Sequence, residues 1–587
     1  MIAIVAVALI FFLPVVHQHS SEHPKPNHST PIELFDRRSR LTIYVGAVAL
    51  AFLVVWLPVS LPQVMGPLGI LFAFVAIVTP ILAHIAFVGD RHGVPYLTII
   101  VGLVLVISAF DLNDNHTLYR QAAKPADASV ISSKLPGAEE AFRDWFDNRP
   151  GPDRLRYETT GRRYPVYVVA AEGGGIYAAF HAASVLGGLQ DRCPAFADHL
   201  FSISGVSGGS LGAATFAAGL RHAQESNWPS AKNGPCVDAE PPQPRERSMV
   251  DFADSLLSSD LLSPLAAGLL FPDMLQKLLI FPVDSLDRTR YFEAAFEASL
   301  DNAIVDRQAR KQKSTAIVNF LRMPFLQHWS PLAHTPALLI NATEVGSGRL
   351  RIIAPFLFNT DHVLFLPFAD TELAKRVGGS LDNLPISAAV ITSARFPWVT
   401  PAGSFYDWSF DPTTNLAAGR SIEKIRLVDG GYFENSGVAA AMELISSMQS
   451  ASRRYEFADK IAIRLIVLTR GGFPKQGFLG LSELISPVVA LLSARSSRAP
   501  LIIDQTERLL RERAAAHVTP SINISKVELL DLYYPLPLGW RLSALSTILI
   551  QAQNGIPTRC EDTSVAYQNE TTFDADCLAK AVREELN

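Results

Sequence analysis

Three stretches near the amino terminus, Leu41 to Leu61, Leu68 to Val88 and Val94 to Phe110, contain no Asp, Glu, Lys or Arg. A helix needs about 20 apolar residues, with a range of about 17 to 25, to cross the hydrocarbon core of a bilayer. The first two stretches meet that length, and the third sits at its lower limit. Met1 to Val16 is a fourth apolar run. It lacks the basic start and small-residue cleavage site of a secretory leader, so it reads as a short spanning segment. Residues 1–111 are therefore expected to be an all-α membrane region of three or four transmembrane helices. At 587 residues the chain exceeds one ordinary domain, and its 49% hydrophobic content is concentrated in this first part.

Beyond Phe110 the composition turns polar, with Asp111, Asn113, Asp114, Asn115 and Arg120. Residues 112–162 read as a linker, and residues 163–587 as a globular domain with a C-terminal extension. The net charge of -5 and the lack of a Lys/Arg-rich run interleaved with aromatics exclude nucleic acid as a partner. Four cysteines, Cys193, Cys236, Cys560 and Cys577, all follow the membrane part, and none forms a CxxC pair. The histidine-rich stretch His17, His19, His23 and His28 reads as a solvated loop.

From Tyr164 onward, short β-branched runs alternate with helical stretches. Strands are expected at Val166–Ala171, Leu200–Ser204, Ala337–Ala342, Leu350–Ala354, Lys424–Val428 and Ile461–Thr469. Helices are expected over Ile176–Gln190 and from Leu211. Such alternation predicts an α/β fold, a mainly parallel sheet with helices on both faces.

Three glycine-rich turns stand at predicted strand ends. Gly205-Val206-Ser207-Gly208-Gly209 lies between a strand and a helix, the setting of a G-x-S-x-G nucleophile elbow. There the tight turn lifts a serine hydroxyl off the sheet edge, and Gly205 and Gly209 avoid a clash with the crossing helix. Ser210 fits the same pattern in a second register, but one helical turn further on, where a hydroxyl more often caps a helix. Gly173-Gly174-Gly175 leaves backbone N–H groups near a helix start, which suits an oxyanion. Gly173, Gly175 and Ala178 also fit G-x-G-x-x-A. That dinucleotide fingerprint requires an acidic residue at the end of the next strand, and Asp191 precedes that strand instead. No GK[ST] follows, which excludes a P-loop. The third turn is Asp429-Gly430-Gly431, followed by Asn435.

The order of GGG, G-x-S-x-G and a distant DGG resembles the patatin-like phospholipase family and the related cytosolic phospholipases A2. The segment Ser393-Ala394-Arg395-Phe396-Pro397 ahead of the aspartate, and Asn435 after it, are similar to the family as well. The likeness covers roughly residues 164–470. It implies a three-layer α/β domain, with Ser207 as nucleophile, Asp429 as its base and the backbone of Gly173 to Gly175 as the oxyanion hole. Gly205, Gly209, Gly430 and Gly431 would shape the turns. The implied activity is hydrolysis of acyl esters in membrane lipids, with no cofactor and no metal. The same serine could instead pass the acyl group to another acceptor, and a domain that had lost catalysis would be a third kind of protein. The chain departs from the family at Tyr177, where Arg or Lys is frequent. A triad would need a histidine after Asp429, and His517 sits in a charged helical stretch. Leu261–Val283 and Phe478–Leu492 are apolar enough for an interfacial lid or mouth, and equally for buried helices.

Lys25, Arg37, Arg38 and Arg40 precede the first long stretch, whereas Pro62 to Pro67 carries no basic residue. The positive-inside rule puts residues 17–40 in the cytoplasm, and three crossings then deliver Asp111 and all that follows to the far side. An even number of cysteines there fits an oxidising compartment, with Cys193–Cys236 and Cys560–Cys577 the favoured pairing. An alkaline phosphatase fused after Val130 should therefore be active and a fluorescent-protein fusion there dark; the reverse pattern would overturn this orientation.

Overall fold

The computed structural model describes residues 45–46, 49–50, 52–119, 135–231, 234, 236, 248–308, 318–359, 363–368, 370–396, 399–408, 421–470, 482–529, 539–555, 572–573 and 575–587. The chain divides into two compact units. One comprises Met1–His116, Leu261–Ala295 and Trp398–Pro401, and the other the remainder. Met1 to Val16, the histidine-rich stretch and Cys560 lie outside the described residues.

In the first unit, residues 52–56 are helical and a turn at residues 57–59 leads into α1, Ser60–His92. The expected break at Pro62 to Pro67 is thus a kink within α1, where Gly66 adopts φ 71° and ψ 165°. Proline is tolerated at the start of a helix because its missing N–H would be unpaired there anyway. Pro67 therefore restarts the helix directly after Gly66. The most apolar window of α1 has a mean hydropathy of 2.5 and is only 6% buried. Helix α2, Tyr96–Ala109, has 14 residues, hence a length of about 21 Å at 1.5 Å per residue. Met249–Gln276 also passes the length and composition test for a span, but 56% of its window is buried within the protein. Residues 261–295, assigned from the sequence to the globular domain, belong to the first unit. Ala267, Leu270, Phe271 and Tyr291 pack there against Ile70 and Phe74 of α1, with the Phe74 and Phe271 rings edge to face at 5.8 Å.

The second unit is a mixed α/β domain. Its strands are β1 Tyr164–Ala171, β2 Leu200–Val206, β3 Ala337–Glu344, β4 Leu350–Ile353, β5 Leu364–Phe365, β6 Gly403–Trp408, β7 Ile422–Asp429, β8 Ile461–Thr469, β9 Ser521–Glu528 and β10 Thr572–Phe573. They form one sheet in the order β10-β9-β8-β1-β2-β3-β4-β5, in which β10 through β3 run parallel. β7 pairs antiparallel with both β3 and β6. β1 and β2 are buried at every position, as expected of parallel strands covered on both faces. Val166, Val168 and Ala170 face a cluster that includes Phe142, Trp145, Val438, Leu444, Ile445, Ile503 and Leu510. Helices α3, Ile176–Arg192, and α4, Gly208–Glu225, follow β1 and β2 and step towards β3. The long helix Ser482–Ala515 follows β8 and steps the other way to β9. Right-handed crossovers place helices stepping in opposite directions on opposite faces.

The six expected strands are present within a few residues, and β5, β6, β9 and β10 are additional. The expected linker does not extend to residue 162. Ala138–Asp147 is an amphipathic helix whose Ala138, Ala141, Phe142, Trp145 and Phe146 are all buried. That spacing of i, i+3, i+4, i+7 and i+8 marks a core-facing helix stripe. The C-terminal extension is likewise part of the sheet. β9 adds to β8, and Glu585 accepts from Tyr167 Oη at 2.7 Å and pairs with Arg464. Cys193 and Cys236 form a disulfide, and Cys577 is also disulfide-bonded.

His328 supports the entry to β3. Its Nδ1–H donates to the Phe325 carbonyl at 2.5 Å, and its Nε2 accepts from the Leu338 N–H at 3.0 Å. Burial lowers its pKa to about 4. The unfolded chain therefore takes up a proton between about pH 6.5 and 4 that the folded protein refuses, so stability is full above that window and falls as pH drops through it. The slope is at most about 1.4 kcal/mol per pH unit. Urea midpoints at pH 7 and 5 should fall further for the wild type than for His328→Gln; equal falls would remove His328 as the cause.

Candidate active site

The site is organised by a single edge of β3. β2 runs along that edge as far as Val206 opposite Asn341, and β7 takes it up at Ala342, opposite Asp429. β4 occupies the other edge, at Ile340 to Thr343. β2 and β7 approach from opposite directions and end beside each other over two consecutive residues. Ser207 directly follows β2, and Asp429 is the last residue of β7.

Ser207 Oγ donates to Asp429 Oδ2 at 2.7 Å. Ser207 has φ 50° and ψ -119°, a left-handed conformation that costs about 1–3 kcal/mol in a non-glycine residue and persists only where surroundings enforce it. The enforcement here is close backbone packing. A Cβ on Gly209 would stand 2.1 Å from the Ala171 carbonyl oxygen, and one on Gly208 1.9 Å from that of Gly175. The Ser207 N–H donates to Ser393 Oγ at 2.8 Å, and Ser393 Oγ donates to the Asn341 carbonyl at 2.5 Å. Ser210 Oγ donates to the same Ser393 oxygen at 3.0 Å. The two serines of the ambiguous motif thus have different partners, Ser207 the carboxylate and Ser210 a hydroxyl.

Asp429 is fully buried at the start of a short 3-10 turn, Gly430–Tyr432, and its Oδ1 accepts from the Gly431 N–H at 2.8 Å. One carboxylate oxygen is thereby fixed and the other is aimed at Ser207. Gly430 sits against β3, where a Cβ would lie 2.3 Å from the Asn341 carbonyl oxygen.

The glycine triplet lies beside the serine. A Cβ on Gly173 would be 3.1 Å from Ser207 Cβ and 2.4 Å from Asn435 Oδ1. The Gly173 N–H is committed to the Asn435 carbonyl at 2.9 Å, and Asn435 Nδ2 donates to the Gly173 carbonyl at 2.9 Å. Among the described residues neither the Gly174 nor the Gly175 N–H donates to another protein group, so these two are the donors left for an incoming oxyanion. Glu172 holds Asn435 in place: its carboxylate accepts from Asn435 Nδ2 at 3.3 Å, from the Arg470 N–H at 2.9 Å and from the Thr469 hydroxyl. Burial raises the Glu172 pKa, and those hydrogen bonds oppose the rise. The Tyr177 ring covers Gly174, with the Arg470 guanidinium 5.8 Å from its centroid.

Ser207, Asp429 and the triplet are brought together. His517 is not: it is exposed at the end of the helix Ser482–Ala515, with Nδ1 3.2 Å from the Ala514 carbonyl. Glu172 and the bridging role of Ser393 had no local signal, since their contacts span between 52 and 298 residues of sequence. Among the described residues no group of three or more His, Cys, Asp or Glu is placed to share a metal ion. No protein-family model matches the sequence, and no curated protein matches it.

Ser393 Oγ satisfies two buried donors and one acceptor at once. Ser393→Ala leaves those groups unpaired and should cost about 1–3 kcal/mol of stability, whereas Ser347→Ala in an exposed turn should change it by less than about 0.5 kcal/mol. Equal urea midpoints for the two variants would contradict the bridge.

Proposed function

We propose that this protein is a membrane-anchored serine acyl hydrolase of the patatin-like type, cleaving acyl esters of membrane lipids through a Ser207–Asp429 dyad. The observation that carries this reading is the 2.7 Å hydrogen bond from the hydroxyl of a strained elbow serine directly to a buried carboxylate, with no imidazole between them. Asp429 Oδ2 takes the proton as Ser207 Oγ attacks the ester carbonyl. The Gly174 and Gly175 N–H groups stabilise the tetrahedral oxyanion, and losing one such donor costs about 10²–10³ in rate. Collapse of that intermediate expels the alcohol, which takes up the proton held by Asp429. Water, deprotonated in turn by Asp429, then attacks the acyl carbonyl, and the fatty acid leaves as Ser207 Oγ takes back that proton from Asp429. The three-layer arrangement implied by the family resemblance agrees with a mainly parallel sheet carrying helices on both faces.

The membrane part of the proposal draws on α1, which is apolar and has only 6% of its most apolar window buried. In the proposed topology the catalytic unit lies on the non-cytoplasmic side. The Cys193–Cys236 disulfide supports that side, because disulfides persist in oxidising compartments. α2 is shorter than the hydrocarbon core, so it crosses only where the bilayer thins or flanking residues lengthen the span.

A fluorophosphonate probe should label the wild type and Ser210→Ala but not Ser207→Ala. Asp429→Asn should lose about 10²–10⁴ in release of free fatty acid from phospholipid vesicles, while His517→Ala stays close to the wild type. Labelling that survives Ser207→Ala, or a folded His517→Ala protein without turnover, would defeat the dyad. Acyl product appearing on an alcohol in place of free fatty acid would make the enzyme a transferase with the same serine.

A further inference from the structure

The segment Pro272–Val283 of the first unit presents an apolar surface that its own fold does not cover. Met274, Leu275, Leu278, Ile280 and Phe281 are between 40% and 65% exposed. Single exposed apolar residues are ordinary, whereas a contiguous patch of this kind marks an interaction surface.

This patch is tied from beneath by a buried side chain. Gln276 is fully buried; its Nε2 donates to the Phe281 carbonyl at 2.8 Å and its Oε1 accepts from the Val283 N–H at 2.9 Å. These bonds close the segment into a loop whose apolar side chains point outward. The loop is tied in turn to the chain leaving α2. Gln276 Nε2 reaches the Asn113 carbonyl at 3.4 Å, and Asn115 Nδ2 donates to the Val283 carbonyl at 3.0 Å. His116 Nδ1 lies 2.8 Å from Asp287 Oδ1 and Nε2 3.7 Å from Asp273 Oδ1, while Arg288 pairs with Asp273. These hydrogen bonds and ion pairs join the loop to the connection after α2 at several points. At the start of the same connection, Phe110 and Leu112 are 73% and 52% exposed. The apolar loop is therefore clamped at the level where α2 ends, beside further uncovered apolar side chains.

We propose that Met274–Phe281 is an interfacial anchor, inserted into the headgroup and upper acyl region of the same bilayer leaflet at which α2 ends. The proposal rests on the reading of α1 and α2 as membrane helices. Its occupant is the lipid surface, because the loop is fixed to the terminus of an apolar helix whose own surface is uncovered. Lys277, the one cation within Met274–Phe281, is only partly exposed and suits the phosphate level. Such insertion reaches about 5–10 Å into the headgroup and acyl boundary. In function it would hold the unit carrying the lipid-cleaving domain at the surface where its substrate lies.

The test uses the full chain in phosphatidylcholine–phosphatidylglycerol vesicles, with nitroxides on single introduced cysteines, since no described cysteine is free. Accessibility to oxygen is compared with accessibility to an aqueous nickel chelate at Leu278→Cys, Ile280→Cys, Phe72→Cys in α1 and Ser347→Cys. The oxygen-to-nickel ratio at positions 278 and 280 should exceed that at 347 by at least about threefold and fall below that at 72, as insertion to the acyl boundary requires. A bilayer value at 72 with aqueous values at 278 and 280 overturns the anchor alone. An aqueous value at 72 overturns the membrane reading and the anchor together. Shielding of 278 and 280 from both reagents means that protein covers the patch, and overturns the anchor while leaving the helices in the membrane.

Discussion

One edge of one strand, β3, receives two strands from opposite directions, and the candidate chemistry depends on that meeting. β2 stops at Val206 opposite Asn341 and β7 at Asp429 opposite Ala342. A hydroxyl and a carboxylate separated by 222 residues in sequence thereby come within hydrogen-bond distance. The parallel sheet alone would place its helix starts and glycine turns along a single edge, and would leave Ser207 without a carboxylate partner. The antiparallel entry of β7 brings Asp429 to it. Ser393 ties the construction together by bonding the Ser207 N–H and the Asn341 carbonyl at the junction itself.

The glycines around this junction serve backbone approach more than flexibility. Gly208 and Gly209 lie against the carbonyls of Gly175 and Ala171, and Gly430 lies against that of Asn341. Removing side chains there lets three turns from distant parts of the chain share a space that one Cβ would fill. The strain at Ser207 is maintained by the same crowding, which holds the residue in a sparsely populated conformation. Glu172 and Asn435 extend this support to the glycine triplet. They fix the Gly173 carbonyl on one side, so the N–H of the following residue, on the same peptide plane, points to the other.

The two units follow different physical rules. The second buries continuous apolar strands of a mainly parallel sheet among many helices. The first leaves apolar side chains along α1 and α2 uncovered and reserves a buried polar network for the connection after α2. Leu261–Ala295 belongs by sequence position to the middle of the globular domain, yet it packs with α1. Its apolar, proline-broken first part, Leu261–Val283, suits packing against the apolar α1.

Local chemistry in the sequence determined much of this protein. The charge-free runs, the order of β1, β2, β3, β7 and β8, and the three glycine turns that end strands all follow from residue type and spacing over a dozen positions. The amphipathic stripe from Ala138 to Phe146 was equally legible, though the polar residues before it suggested a linker. Position at the strand end already favoured Ser207 over Ser210 in the sequence; only the tertiary structure shows what each hydroxyl meets, the Asp429 carboxylate for Ser207 and the Ser393 hydroxyl for Ser210. It also decided that Gly173 is tied to Asn435, that Ser393 bridges the junction, and that Pro62 to Pro67 kinks a helix instead of forming a loop. Short strands such as β5 and β10 carry too few residues to show a pattern, and hydrogen bonds between residues hundreds of positions apart leave no local trace. Pairing across a sheet is a property of register, and register exists only once the chain has folded.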